Sequence, residues 1–416
     1  MTRIGQSKGK RVRTDKIMML DTGYAGQTTS AIADDCADVR VEERLRMNPP
    51  MVENILSQAR SLRAVMAHQY GEGRSPLLEA ASLLRSCRRI VLSGMGASLH
   101  ACIPLQNFLA ARGVACTVIE TSELLYFQSN VLDADTALVL VSRSGETVEA
   151  TELLKLAPQR GCKVVGIINV PGSTVARQAT RAILVNSLPD QLVAIQTYTG
   201  TLVTLLLLGG AYAEQLEGSV KNDLERTIEV LSRCVPEWYR FSGSWPGFFA
   251  NNVPMYLLGR GPTLSSVATG ALLLQEVAKV PAVPMSAAQF RHGPVEVIHD
   301  QFRAIIFGTQ RVTEDLEDTL GDKILGMGGK VRWIGPKPKS HLIDSLCEWP
   351  AENFPDLFMP VADVIPLQMA AYHTARWHGI TPGEYRFATP VTLSERDFFE
   401  PHDPRGMSRA VGSQKT

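Results

Sequence analysis

Two tandem copies of one α/β domain, each a parallel sheet layered between helices, are what the sequence predicts for this chain of 416 residues. Three observations carry the prediction. Short apolar segments closed by glycine or a polar residue alternate with helical stretches, the pattern of βαβ units. The length suits two domains of roughly 100–200 residues each. The two halves also match in order. Ile90-Val-Leu-Ser-Gly94-Met-Gly96-Ala-Ser98-Leu99 has a counterpart in Met255-Tyr-Leu-Leu-Gly259-Arg-Gly261-Pro-Thr263-Leu264, offset by 165 residues. Ala137–Ser142 matches Ala304–Thr309, and Lys163–Ile167 matches Lys330–Ile334, both offset by 167. Three matched elements at nearly constant offset read as a duplication.

Taken in order, residues 1–46 turn from basic (Lys8, Lys10, Arg11) to acidic (Asp34, Asp35, Asp38) without periodicity. They are expected to form a disordered or polar extension, and no apolar core follows the basic start as in a secretory signal. Over 47–85, Met51, Ile55, Leu56, Ala59, Leu62 and Val65 recur at helical spacing, and Leu77–Leu84 continues with a second helix. The first sheet domain is expected over 86–216. Its strands are placed at Arg89–Gly94, Ala115–Glu120, Ala137–Ser142, Lys163–Val170 and Ala182–Asn186. A polar linker helix over 217–246 leads to the second domain at 247–394, which leaves a tail over 395–416.

Composition narrows the function. Lys+Arg and Asp+Glu both number 42, so the chain lacks the basic excess of a general nucleic-acid binder. The longest apolar run, Leu202–Ala213, falls well short of the ~20 residues that span a bilayer. The seven cysteines are scattered and never spaced C-x-x-C, which fits reduced thiols in a cytoplasmic protein. No cluster has metal-ligand spacing, so neither a metal nor another cofactor is expected.

A strand ending in G-x-G, with Glu120 closing the next strand, invites a dinucleotide reading. That signal is weak, because Leu99 and Leu264 stand where the third glycine belongs. A stronger motif is Ser142-Arg143-Ser144-Gly145-Glu-Thr147, three hydroxyls and a glycine just ahead of a helical stretch. A helix N-terminus with short hydroxyls can cradle phosphate oxygens without a basic protein. The competing reading is an ordinary N-cap. Glu276 sits on an otherwise apolar helix, where a buried carboxyl would have a raised pKa, or where it simply faces solvent. His292 precedes Gly-Pro in a loop, a position equally open to an exposed or capping histidine.

On these residues the chain resembles the double-domain phosphosugar enzymes of the sugar isomerase (SIS) family. The resemblance runs from about Met51 to Ser394. It rests on Gly94-Met-Gly96-Ala-Ser98, Ser142–Thr147, Asn169–Thr174, Gly259-Arg-Gly261, Gln289-Phe-Arg-His292-Gly-Pro294 and Pro366–His373. It implies two tandem SIS domains, each a flavodoxin-like αβα sandwich. It also implies a phosphorylated sugar or amino-sugar as ligand and a homodimer that shares residues across its active site. Apolar helices such as Thr201–Ala213 are expected to offer surface for that dimer. Ser142, Ser144 and Thr147 would bind phosphate, with Arg143 contributing backbone. Gly96, Ser98, Val193 and Thr197 would lie near the sugar, while Glu276 and His292 would form the acid–base pair; Glu296, shortly after His292, is a lesser candidate for pocket contact. A carboxylate over two neighbouring carbons can take a proton from one and return it to the other. A histidine near its neutral point can open the ring or protonate a leaving amine.

The departures from the family pattern direct the expectation further. The stretch ahead of the first expected SIS domain is short and holds no cysteine before Cys36, so glutamine-dependent amination is not expected. The imine-forming lysine has no counterpart in Arg386-Phe-Ala-Thr389-Pro-Val-Thr392, and Leu273 replaces a second family lysine. The loop that elsewhere reads V-A-S-T-K is Val193-Ala194-Ile195-Gln196-Thr197 here. These features favour an enzyme acting on a substrate that already carries an amine, a deaminase or deglycase of sugar 6-phosphates. An isomerising aminotransferase-like subunit without its glutaminase and a non-catalytic sugar-phosphate sensor are the alternatives.

Overall fold

A computed structural model describes residues 50–190, 193–250, 253–387 and 391–395. The expected extension over 1–46 and all but the first residue of the expected tail lie outside the described residues. Helices α1 (Pro50–Leu56), α2 (Gln58–Tyr70) and α3 (Arg74–Arg85) come first. Met51, Ile55, Ala59, Leu62 and Val65 are buried, as their spacing predicts. One sequence pattern nevertheless becomes two helices. Ser57 interrupts it, its hydroxyl donating back to the Glu53 carbonyl in competition with the helical ladder.

The first sheet follows as β1 (Arg89–Gly94), α4 (Ala97–His100), α5 (Cys102–Ala110), β2 (Cys116–Glu120), α6 (Thr121–Tyr126), β3 (Thr136–Val141), α7 (Val148–Gln159), β4 (Lys163–Ile168), α8 (Thr174–Gln178) and β5 (Arg181–Leu184). Its order is β2-β1-β3-β4-β5, all parallel. Every residue of β3 is buried, as the central strand of a doubly covered sheet requires. β4 and β5 each stop two residues short of expectation. Asn169 turns its side-chain carbonyl to the Ser187 amide, and Asn186 takes a φ of 57° that no strand accommodates.

Next comes α9 (Gln196–Tyr212), whose residues from Gln196 to Ala211 are all buried. It packs on α2, α3 and α5 inside the chain. The apolar stretch 201–213 is therefore internal core rather than the dimer surface expected of it. A helix apolar on every side is satisfied only when surrounded.

Helix α10 (Lys221–Ser242), read as a polar linker, is amphipathic. It buries Leu224, Ile228, Leu231, Val235 and Trp238 and packs on α2. After the short α11 (Pro246–Phe249) the second sheet runs β6 (Met255–Gly259), α12 (Leu264–Glu276), β7 (Ala282–Ser286), α13 (Ala287–Phe290), β8 (Arg303–Phe307), α14 (Glu314–Gly326), β9 (Lys330–Ile334) and β10 (Asp344–Ser345). Its order, β7-β6-β8-β9-β10, repeats that of the first sheet, and it too is parallel throughout. Helices α15 (Met359–Asp363) and α16 (Ile365–Trp377) close the fold, and α16 packs on α1, α10 and α12. At Gly270 in α12 an added Cβ would lie 2.0 Å from Leu367 Cδ1, so a larger residue here would displace the Leu367 side chain of α16.

Candidate active site

A cavity of about 300 Å³ opens where α12 crosses the carboxyl ends of β1 and β3, the place where such sheets bind ligands. Gly96 and Ser98 line it from the turn after β1. That turn needs glycine, since Gly96 has a φ of 50°. Ser142, Arg143, Ser144 and Thr147 line it from the loop between β3 and α7.

This loop is internally fixed. The Gly145 amide donates to Ser142 Oγ at 3.0 Å and the Glu146 amide to Ser144 Oγ at 3.2 Å. Ser142 Oγ and Thr147 Oγ1 lie 3.3 Å apart. Thr147 occupies the N-cap of α7 but makes no side-chain capping bond, so its hydroxyl joins Ser142 rather than serving as an ordinary cap. The next turn braces the loop from outside. The Glu146 carboxylate accepts from the Thr174 amide at 2.7 Å and its hydroxyl at 2.8 Å, and the Arg143 carbonyl accepts from the Asn169 amide at 3.1 Å. Gly145 has a φ of 68°, and a Cβ there would sit 2.1 Å from Ser173 Oγ. Only glycine allows the two turns to meet.

The opposite wall is α12. Thr269, Leu272, Leu273 and Glu276 recur at helical spacing and present one face to the cavity. Burial raises the Glu276 carboxyl above the ordinary range, while Arg143 and then Lys279 pull against that rise. Tyr385, also lining the cavity, is raised by burial and by Glu276. Lys279 donates to the carbonyls of Glu276 and, at 2.7 Å, Glu384, and burial lowers its ammonium below the usual value. A second compartment of about 500 Å³ shares Leu272, Glu276 and Tyr385 with the first. It continues outward past Gln275, Lys279, Arg386 and Phe387.

Seven residues singled out in the sequence thus face one cavity: Gly96, Ser98, Ser142, Arg143, Ser144, Thr147 and Glu276. His292 and Glu296 do not line it; both are exposed in the turn after α13. Val193 is buried outside it, although Ala194 reaches the wall. Thr197 is also buried elsewhere, its hydroxyl and amide both donating to Asp190, which holds the first amides of α9. Glu120, the feature that invited a dinucleotide reading, caps α6 by accepting from the amides of Ser122 and Glu123.

Some lining residues carry no motif in the sequence. Tyr385 and Thr392 belong to the segment after α16, and the Val148 amide at the start of α7 donates to the Thr392 carbonyl at 3.0 Å. The place of Lys279 follows from a backbone turn, for it has a φ of 58° just past the end of α12. No group of three or more His, Cys, Asp or Glu side chains converges among the described residues. No helix among them is long and apolar enough to cross a membrane.

Comparison with known proteins places this arrangement. Residues 83–213 match the SIS domain family. The chain is 29% identical over 351 residues to glutamine–fructose-6-phosphate aminotransferase [isomerizing] of Pyrococcus horikoshii, and 30% over 359 residues to that of Pyrobaculum aerophilum. Each match covers 82% of this chain, which spans only 57% of the length of either relative. Among solved structures, the C-terminal domain of glucosamine-fructose-6-phosphate aminotransferase from Francisella tularensis superposes with a TM-score of 0.69 at 19% identity. That match covers 80% of this chain and 98% of the other. Glucosamine-6-phosphate deaminase from Thermotoga maritima gives 0.64 at 15% identity, covering 82% and 99%. Residues 83–213 thus match an SIS domain, and the second parallel sheet repeats the strand order of the first, so the fold is one of tandem SIS-like domains.

Proposed function

We propose that the protein is a phosphosugar isomerase-type enzyme that releases an amine from an amino- or amine-linked sugar 6-phosphate. The observation that carries this reading is the single cavity shared by the Ser142–Thr147 loop and Glu276. The loop holds the phosphate with hydroxyls at the start of α7. Glu276, raised by burial, accepts a proton from the carbon next to the carbonyl or imine and returns it to the neighbouring carbon. Ser98 and Gly96 line the sugar end. Phosphorylated sugars figure in the names of the similar proteins, including an isomerising aminotransferase and a deaminase.

Release of amine is favoured over its addition by two features. Leu273 occupies a family lysine's place on the cavity face of α12, and the outer compartment beside Glu276 leaves room for a nitrogen substituent. His292 assists ring opening or amine departure. Being exposed and outside this cavity, it serves the neighbouring subunit of a homodimer. Mixing the inactive Glu276→Gln and His292→Ala proteins then restores partial activity through heterodimers, and no recovery after confirmed subunit exchange contradicts sharing. The function itself is tested by incubating the protein with glucosamine 6-phosphate and with fructosamine 6-phosphates and following released ammonia or amine. Release from one class is expected. No release from any, with ammonia-dependent synthesis from fructose 6-phosphate instead, overturns the reading in favour of an aminotransferase-like subunit.

A further inference from the structure

A second cavity, of about 620 Å³, lies at the other end of the second sheet, where β8 and β9 begin. Arg303 and Lys330, the first residues of these strands, are register partners. Arg332, two residues on from Lys330, points to the same face. All three line the cavity with Phe248 and Asp344. Arg332 pairs with Asp344 at 2.6 Å, and the guanidinium carbons of Arg332 and Arg303 lie 5.2 and 5.8 Å from the centre of the Phe248 ring. One carboxylate therefore faces three cations.

Arg303 stands out among them. Its Nε and Nη1 are buried, with no hydrogen-bond partner among the described residues. Buried guanidinium N–H groups left unpaired are costly and rare in folded proteins. Burial also lowers the Arg303 pKa, in keeping with a charge held partly out of water. The duplication supplies an internal control. At the matching positions, 167 residues earlier, the first domain has Thr136, Lys163 and Val165, so the sheet does not require three cations there.

We propose that this cavity is a binding site for a small phosphate-bearing anion, separate from the cavity that contains Glu276. The Arg303 guanidinium lines the cavity beside Lys330 and Arg332, and the three cations together supply the charge that a dianion or trianion needs. The volume falls in the range of small-molecule sites. The Phe248 ring fixes the orientation of both arginines.

Isothermal titration of the full chain with inorganic pyrophosphate tests the site, using Ser144→Asp protein so that the loop before α7 no longer competes. One binding event is expected. Adding Arg303→Thr, which installs the first domain's residue, weakens it about tenfold through lost charge-assisted bonds. Lys330→Ala, at the exposed rim, weakens it less without touching the core, and keeps the test usable if the arginine variant fails to fold. Absence of pyrophosphate binding overturns the proposal, as does an affinity unmoved by both changes. Binding of a polyglutamate peptide but not of pyrophosphate also overturns it, and assigns the cations to an acidic protein partner.

Discussion

After β3 the first domain turns through Ser142, Ser144 and Thr147 into α7; after β8 the second turns through Thr309 and Thr313 into α14. The strands match and the strand order is the same, yet the loops have opposite chemistry. In the first, three hydroxyls face the cavity and the one acid of the first helical turn, Glu149, is buried and raised above its ordinary range by that burial. In the second, Glu314, Asp315 and Glu317 crowd the first turn and already complement the positive end of the helix. Glu317 is buried against Arg260. Thr309 and Thr263 donate to the buried Asp363 at 3.0 and 3.1 Å, which takes up the hydroxyls that could otherwise face a ligand. One fold therefore carries a hydroxyl-lined helix start, the proposed anion cradle, in one copy and an acid-complemented helix start in the other. The sheets match while the loops after them differ.

The comparison can be broken at several points. Glu276→Gln removes the proton carrier and is expected to lower turnover about 10³-fold, with sugar-phosphate affinity nearly unchanged in equilibrium titration. Ser144→Asp puts a negative charge among the hydroxyls that face the cavity. KM for the sugar phosphate should rise about 100-fold, against about tenfold for Ser144→Ala, which only loses a bond. Arg143→Met sharpens the account of Glu276. The cation lowers a carboxyl that burial raises, so its loss moves the acid limb of the kcat/KM profile to higher pH.

Asp363 gives the corresponding test in the second copy. Burial pushes its carboxyl up to about 7. Because the folded state then holds a proton that the unfolded chain releases, stability declines as pH rises from about 4 to about 7 and stays lowered above that. Asp363→Asn should remove this decline and raise Tm at pH 8 by about 5 °C, with a smaller gain at pH 5. Least is expected of Glu314→Gln with Asp315→Asn. These neutralise a half-buried and an exposed acid at the start of α14, away from the cavity, and KM should stay within about twofold of the parent.

Strand positions, the duplication and the cluster of hydroxyls that lines the cavity are legible in the sequence because each depends on local pattern. Apolar runs ended by glycine mark the strands, and a cluster of hydroxyls ahead of a helix marks one wall of the cavity. What escaped depends on packing between distant segments. Nothing local separates Thr197 as a wall residue from Thr197 bonded to Asp190. Arg143 was credited only with its backbone, because opposition between its side chain and Glu276 exists only once α12 crosses the first sheet. Tyr385 and Thr392 follow from the return of the chain after α16. The dimer surface expected at 201–213 follows from its apolar character, while the helices that enclose it come from distant segments.

The central claim, that the first-domain loop holds a phosphate while Glu276 moves a proton in the same cavity, is met most directly by deuterium incorporation. Hexose and fructosamine 6-phosphates incubated with the protein in D2O, followed by NMR, should gain deuterium at the carbon beside the carbonyl. The unphosphorylated sugars should not, and neither should any substrate with Glu276→Gln. Incorporation that persists with Glu276→Gln, or that proceeds equally without the phosphate, would contradict the account.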